Sequence, residues 1–488
     1  MGLTGLSMHL FRTVGMGFGD VLSTGRLPIA LITSGAILIV YILLAKIFNP
    51  KIALLSAVLI ALDPFFIAHS RFIHLDAMLT VFMLISVLSL LAYLAEPQKK
   101  YLLVVTGFIT GLALLTKLPA LFLLLFIPFI ILIWHVWKQP ASGGHWWLDK
   151  SVRLNMLSSV VIIAGVCGMT YCILWPAMWV APIDTISNMI TNSGCGLLMA
   201  TLEPHGSGFF MGEISNGDYD ALFYPVVILM RSTPLALIFS IICLGFILNR
   251  MVKHEFKTHE ILIVLLVLYI ILFTIQMGIG KKAFDRYLLP VFPMIDILAA
   301  VGIYHSMKTL CSKFQGQLQE NRKQIHISSN VIFGLVLLVC IVIQCCLIIP
   351  IAPYYHSYFN PTILGGPTHA PEILLVGWGE GNDLAAEYLN HNPDVNNLTV
   401  AYQYAGFTQY FKGKPVGMGS ASSADYNVFY VIAVQRDWDK NLWDQFKDRE
   451  PEKIIKLNGI EYCWIYETDK SEGKHFNRQW VQSMASIL

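Results

Sequence analysis

The sequence predicts a polytopic α-helical membrane protein with a small C-terminal extracytoplasmic α/β domain. Three observations carry this. Of 488 residues, 56% are hydrophobic and only 13% are charged, about half the charged share of a soluble domain. Mean hydropathy is +0.62. The apolar residues also gather into runs close to the roughly 20 residues that cross a bilayer. Together these exclude an ordinary cytosolic enzyme, a disordered chain and a disulfide scaffold. The net charge of +2 gives no reason to expect nucleic acid as a partner. Nine cysteines lie mostly in apolar runs, with no C-x-x-C pair, and read as buried small hydrophobes.

In chain order, ten membrane helices are expected, at about 27–48, 52–68, 76–95, 101–116, 118–137, 154–180, 229–248, 261–279, 285–305 and 330–352. The 52–68 and 101–116 runs are short for a crossing. Alternate loops (46–51, 96–100, 138–153, 249–260 and 306–328) hold 14 Lys and Arg, against seven on the other side. The richer side is cytoplasmic by the positive-inside rule. Residues 1–26, loop 181–228 and the tail 353–488 then face outward. An outward N-terminus without a signal peptide leaves two readings: the chain inserts unusually, or a first helix is missing from this version of the sequence.

Residues 1–352 are expected to form the membrane module and 353–488 a separate domain. The tail carries 11 basic and 16 acidic residues. Strands are expected at 373–378, 398–403, 426–434, 453–457 and 461–466, and helices at 383–390 and 439–449. Strands alternating with helices suggest a small α/β domain.

Candidate chemistry collects at the outward helix ends, because charge at a membrane edge is costly and usually functional. The first cluster is a short turn holding Arg71, His74 and Asp76. A partly desolvated Asp76 could serve as a general base or bind a divalent metal. It could equally cap the next helix. Lys117 interrupts a long apolar stretch and suits a lipid phosphate or simple snorkelling. Lys281, Lys282 and Arg286 sit together on the side otherwise poor in cations, which suits a phosphate site. Arg231 lies where a later span begins. Loop 181–228 has five acids and no Lys or Arg. Its length points to function, and Glu203, His205 and Glu213 are its candidates for meeting a sugar or an acceptor. Asp63, beside Pro64, is placed near the same outward end, whereas Asp296 is mid-span and expects a partner in the bundle. The run 377–381 (G-W-G-E-G) lacks the spacing of a nucleotide loop, and Asn397-Leu398-Thr399 is a glycosylation sequon by pattern only.

Outward cations suit a lipid-linked phosphate, and an outward carboxylate suits a hydroxyl nucleophile. That pairing fits glycosyl transfer from a polyprenyl-phosphate sugar, with cations stabilising the leaving phosphate. Two alternatives stand beside it. One is a lipid-linked sugar transporter or flippase, which would place charges at mid-membrane. The other is a catalytically inactive member of an envelope complex.

Four stretches carry a family resemblance. They are Gly25-Arg26-Leu27-Pro28, the R-x-x-x-x-D turn from Arg71 to Asp76, Gly111-Leu112-Ala113-Leu114-Leu115-Thr116-Lys117, and Arg286-Tyr287-Leu288-Leu289-Pro290. Their order resembles the GT-C membrane glycosyltransferases, in the branch of protein O-mannosyltransferases and lipid A aminoarabinose transferases (glycosyltransferase family 39 and relatives). The tail resembles extracytoplasmic domains of some prokaryotic members. The resemblance implies a prokaryotic plasma-membrane transferase with a polyprenyl-phosphate sugar donor and a protein, lipid or glycan acceptor. It assigns Asp76 to an acid at an outward junction, and Lys117 and Arg286 to cations near the lipid phosphate, with Arg231 less directly matched. The family's catalytic acid lies on an earlier loop. Here only Asp20 stands in the corresponding stretch, in surroundings that do not match.

Overall fold

The structure, a computed structural model, describes residues 18–138, 149–191, 208–215, 220–253, 255–281, 283–320 and 328–468. The chain divides into two compact units, Met1–Pro204 with Asp220–Ile349, and His205–Tyr219 with Pro350–Leu488. The longer stretch of the second unit begins at Pro350. The unit also takes in residues that the sequence reading leaves with the membrane module.

The first unit is helical. It comprises α1 (Phe18–Ile47), α2 (Pro50–Ala61), α3 (Pro64–Ser70), α4 (Asp76–Ala95), α5 (Tyr101–Thr116), α6 (Phe122–Trp137), α7 (Lys150–Leu174), α8 (Pro182–Thr191), α9 (Phe223–Arg231), α10 (Pro234–Val252), α11 (Thr258–Ile279), α12 (Phe292–Glu320) and α13 (Ser329–Ile348). Short 3₁₀ turns, Leu118–Leu121 and Asp285–Val291, lead into α6 and α12. All ten expected apolar segments are helical. Among the described residues, eight helices are long and apolar enough to cross a membrane, or nine if the bent pair α2–α3 is one span. The tenth expected span, α5, has 16 residues and falls short of the usual crossing length.

The 62° bend between α2 and α3 has a local cause. Pro64 cannot donate into a continuing helix. The carboxylate of Asp63 instead accepts from Phe66 N at 2.6 Å, capping a new helix. The apolar window of α4 is 83% buried, and that of the stretch from Asp285 into α12 is 89% buried. These two form the centre of the unit. Helices α7 and α13 are only 22% buried, as lipid-facing helices should be. Loop 181–228 is not wholly a solvated acidic loop. Its first part is α8, whose Ile183, Ile186 and Ile190 form an exposed apolar stripe, the pattern of an interfacial helix.

Glycines set the closest helix contacts. A Cβ on Gly302 of α12 would lie 2.0 Å from Phe239 O of α10. A Cβ on Gly111 of α5 would lie 2.7 Å from Thr170 Cβ of α7. Small residues that let backbones approach are a main source of helix association in lipid.

The second unit holds a hairpin, β1 (Gly208–Phe210) with β2 (Glu213–Ser215), and a five-stranded sheet of β3 (Thr399–Tyr402), β4 (Lys414–Gly417), β5 (Tyr426–Tyr430), β6 (Lys453–Leu457) and β7 (Ile460–Glu467). Its order is β4-β3-β5-β7-β6. Strand β3 runs parallel to β4 and β5, and β7 runs antiparallel to β5 and β6. Helices α14 (Asn382–Asn390), α15 (Val431–Gln435) and α16 (Lys440–Phe446) complete the unit. The expected mixed α/β character is present.

Two strand expectations are corrected. Residues 373–378 are not a strand, because one side chain satisfies their backbone. Gln435 Oε1 accepts from Val376 N at 2.8 Å, while its Nε2 donates to Leu374 O and Pro371 O. Among the described residues, their only strand-like pairing is a bridge from Leu374 to Phe210 of the hairpin, beside a bond from Met211 N to Ile373 O. The expected strand 426–434 ends at Tyr430 and turns into α15. Strand β4, with Pro415 and two glycine neighbours, carries no apolar alternation and is held by its partner β3.

Candidate functional site

Four segments of the first unit bring charge together: the turn before α4, the start of α4, the end of α5 and the 3₁₀ turn before α12. Asp76 is the first residue of α4 and its side chain is 3% exposed. Lys117 follows the last residue of α5 in an extended conformation, with Pro119 beginning the next turn. This break lets its side chain reach α4. Lys117 Nζ donates to Asp76 Oδ1 at 2.5 Å. Arg286 Nε lies 3.7 Å from Asp76 Oδ2.

His74 Nδ1 lies 2.8 Å from Asp76 Oδ2 and 3.3 Å from the Asp76 amide N. The shorter contact, to a carboxylate, calls for the proton on Nδ1. Aromatic faces frame the cations. Lys117 Nζ sits 4.6 Å from the Tyr287 ring centroid, and the Arg286 guanidinium lies 4.9 Å from Phe284 and 5.3 Å from Tyr287. Two basic side chains therefore face one carboxylate. Basic side chains gathered in this way suit an anion with several oxygens.

The sequence-predicted residues separate clearly. Asp76, His74, Lys117 and Arg286 come together. Arg231 is fully buried and bound to Asp285, with Nη2 2.6 Å and Nε 2.9 Å from Asp285 Oδ2. Its guanidinium lies 4.9 Å from the Phe65 ring. Arg71 lies exposed on the turn before α4, and Lys281 lies exposed before the 3₁₀ turn. Glu213 is exposed on β2 in the second unit. Lys282, Glu203 and His205 lie outside the described residues.

Asp63 serves as the cap of α3 described above. Asp296 is 1% exposed, its carboxylate has no hydrogen-bond partner among the described residues, and it interacts electrostatically with Asp63. Among the described residues, no three His, Cys, Asp or Glu side chains converge as metal ligands. Asp285, Phe284 and Tyr287 were not assigned a role from sequence. Their signal was the run itself, an acid and two rings interleaved with cations.

Fold and site together define a polytopic membrane protein with an anion-suited cluster at its helix ends. Residues 18–189 match the family model described as dolichyl-phosphate-mannose-protein mannosyltransferase. The resemblance to GT-C membrane glycosyltransferases is borne out over this stretch, which holds the Arg71–Asp76 turn and the Gly111–Lys117 segment. Among solved structures, the chain is similar to ArnT from Cupriavidus metallidurans bound to undecaprenyl phosphate, at 12% identity over 95% of this chain and 86% of that one, with a TM-score of 0.42. It is also similar to the archaeal oligosaccharyltransferase AglB from Archaeoglobus fulgidus in complex with an inhibitory peptide and a dolichol-phosphate. There the identity is 12%, over 91% of this chain and 63% of that one, with a TM-score of 0.45. This chain spans under two thirds of that AglB chain. No curated protein matches the chain in sequence.

Proposed function

We propose that the chain is an integral membrane glycosyltransferase that moves a sugar from a polyprenyl-phosphate donor to an acceptor on the non-cytoplasmic side. The observation that carries this is the convergence of Lys117 and Arg286 on the single carboxylate of Asp76. Such a cluster at the ends of apolar helices matches a phosphate carried by a lipid. The matched family description names a dolichyl-phosphate mannose donor, so mannose is the first sugar to try.

In the reaction, an acceptor hydroxyl oxygen bonds to the anomeric carbon as the bond from that carbon to the phosphate oxygen breaks. The electron pair passes to the phosphate, and Lys117 and Arg286 stabilise its growing charge. Asp76 already accepts from Lys117 and faces Arg286, so its role is to hold both cations and the imidazole in place. His74, a third exposed beside that carboxylate, is the group that takes the hydroxyl proton, at Nε2. An imidazole oriented by a carboxylate is a common base arrangement. The Lys and Arg bias of the loops supports a site on the non-cytoplasmic side.

The test uses purified full chain in lipid nanodiscs, supplied with polyprenyl-phosphate mannose and then other lipid-phosphate sugars. Release of polyprenyl phosphate that depends on an acceptor supports the reading. No release with any protein, lipid or glycan acceptor refutes it.

A further inference from the structure

We infer that Arg231 is a positioning residue that sets the two phosphate cations through Asp285 and does not itself bind phosphate. The inference rests on the reading of Lys117 and Arg286 as phosphate ligands. Arg231 has a side chain with 0% exposure, and two of its nitrogens are directed at one oxygen, Asp285 Oδ2. The other oxygen of Asp285 accepts from Arg286 N at 2.7 Å. One carboxylate thus joins a buried guanidinium to the first peptide of the 3₁₀ turn Asp285–Val291.

That peptide needs such a hold, because 3₁₀ turns are short and have poor internal hydrogen-bond geometry. Once it is fixed, two side chains are aimed together. Arg286 reaches toward Asp76, and the Tyr287 ring lies against Lys117 Nζ. Arg231 therefore influences both cations from a fully buried place, through the two nitrogens that it donates to Asp285. Phe65 closes one face of the guanidinium. The link is local and charge-assisted, so its loss should loosen the aim of the cations rather than only the packing of the helices.

A double-mutant cycle separates this role from direct phosphate binding. Affinity of the full chain in nanodiscs for undecaprenyl phosphate is measured by native mass spectrometry, with monodispersity as the folding check. Arg286→Ala and Arg231→Met are each expected to weaken binding about tenfold, the scale of one charge-assisted hydrogen bond. In the Arg286→Ala background, Arg231→Met should add less than about twofold, because residues acting through one another are not additive. Arg231→Lys, which can still donate to Asp285, should restore part of the loss.

Full additivity with Arg286→Ala would show that Arg231 touches the phosphate and would overturn the inference. An unchanged affinity for Arg231→Met, with Arg286→Ala weakened, would also overturn it. An unchanged affinity for Arg286→Ala would refute the phosphate reading and the relay with it. If Arg231→Met does not fold, Asp285→Asn takes its place in the cycle, with the same expected non-additivity.

Discussion

Replacing Asp76 by Asn removes the one carboxylate that Lys117 and Arg286 share. The side chains concerned are 3%, 25% and 11% exposed. At about 4 Å and an effective dielectric constant near 20, each ion pair is worth about 4 kcal/mol before desolvation. Removing one partner of a buried pair typically costs about 3–5 kcal/mol. Lys117 is a quarter exposed, so water recovers part of this, and a loss of about 3 kcal/mol is expected. The same change takes away the carboxylate charge that these two basic side chains share. A lipid phosphate should replace it. Thermal unfolding in detergent, with and without undecaprenyl phosphate, reads both effects. Asp76→Asn should melt earlier than wild type without lipid and gain more from the lipid than wild type does, because a ligand stabilises in proportion to its affinity for the folded state. Equal stability of the two proteins, or an equal or smaller gain for Asp76→Asn, would refute the reasoning.

Three further predictions follow from the geometry. Gly302→Ala should destabilise the membrane unit by about 1–3 kcal/mol or more, because the new methyl meets the backbone of α10, which cannot move aside as a side chain could; denaturation in mixed micelles measures it. Tyr287→Leu should lower lipid-phosphate affinity by up to about tenfold through loss of the ring beside Lys117 and Arg286, a cation–π contribution of about 1 kcal/mol, with little change in melting temperature. In the tail, burial and the charges of Glu452 and Glu467 push the Tyr426 hydroxyl up to about 12. An unfolded tyrosine ionises near about 10, so the unfolded chain loses this proton first. The resulting stabilisation is complete below that value and is lost as pH rises through the folded one. Tyr426→Phe should therefore show a shallower loss of stability over this range, followed by tail tryptophan fluorescence.

Most of the membrane architecture was legible because apolar length and Lys/Arg placement are direct consequences of the bilayer. The ten segments are where hydropathy puts them, and Pro64 marks the bend. Asp76, His74, Lys117 and Arg286 were legible as charges at helix ends, where few charges are tolerated without a use. Their common meeting point was not, because it depends on how α4, α5 and the 3₁₀ turn pack. Arg231 was legible in the same way, as a charge where a span begins. Only the structure shows that Asp285, two chain segments away, occupies it. In the tail, 373–378 reads as a strand from its apolar content, yet Gln435, about 60 residues later, supplies the hydrogen bonds that a neighbouring strand would have supplied. The place of β1 and β2 in the second unit was likewise hidden, since a short hairpin in a long loop carries no signal of the domain it joins.

The most direct test of the account is a comparison of sugar release by wild type and by Lys117→Met with Arg286→Ala. Each purified protein in nanodiscs is given radiolabelled polyprenyl-phosphate mannose and a panel of protein, lipid and glycan acceptors. The account predicts acceptor-dependent release of polyprenyl phosphate by wild type and loss of that release in the double variant, with both proteins folded. Release that persists when both cations are gone would contradict it.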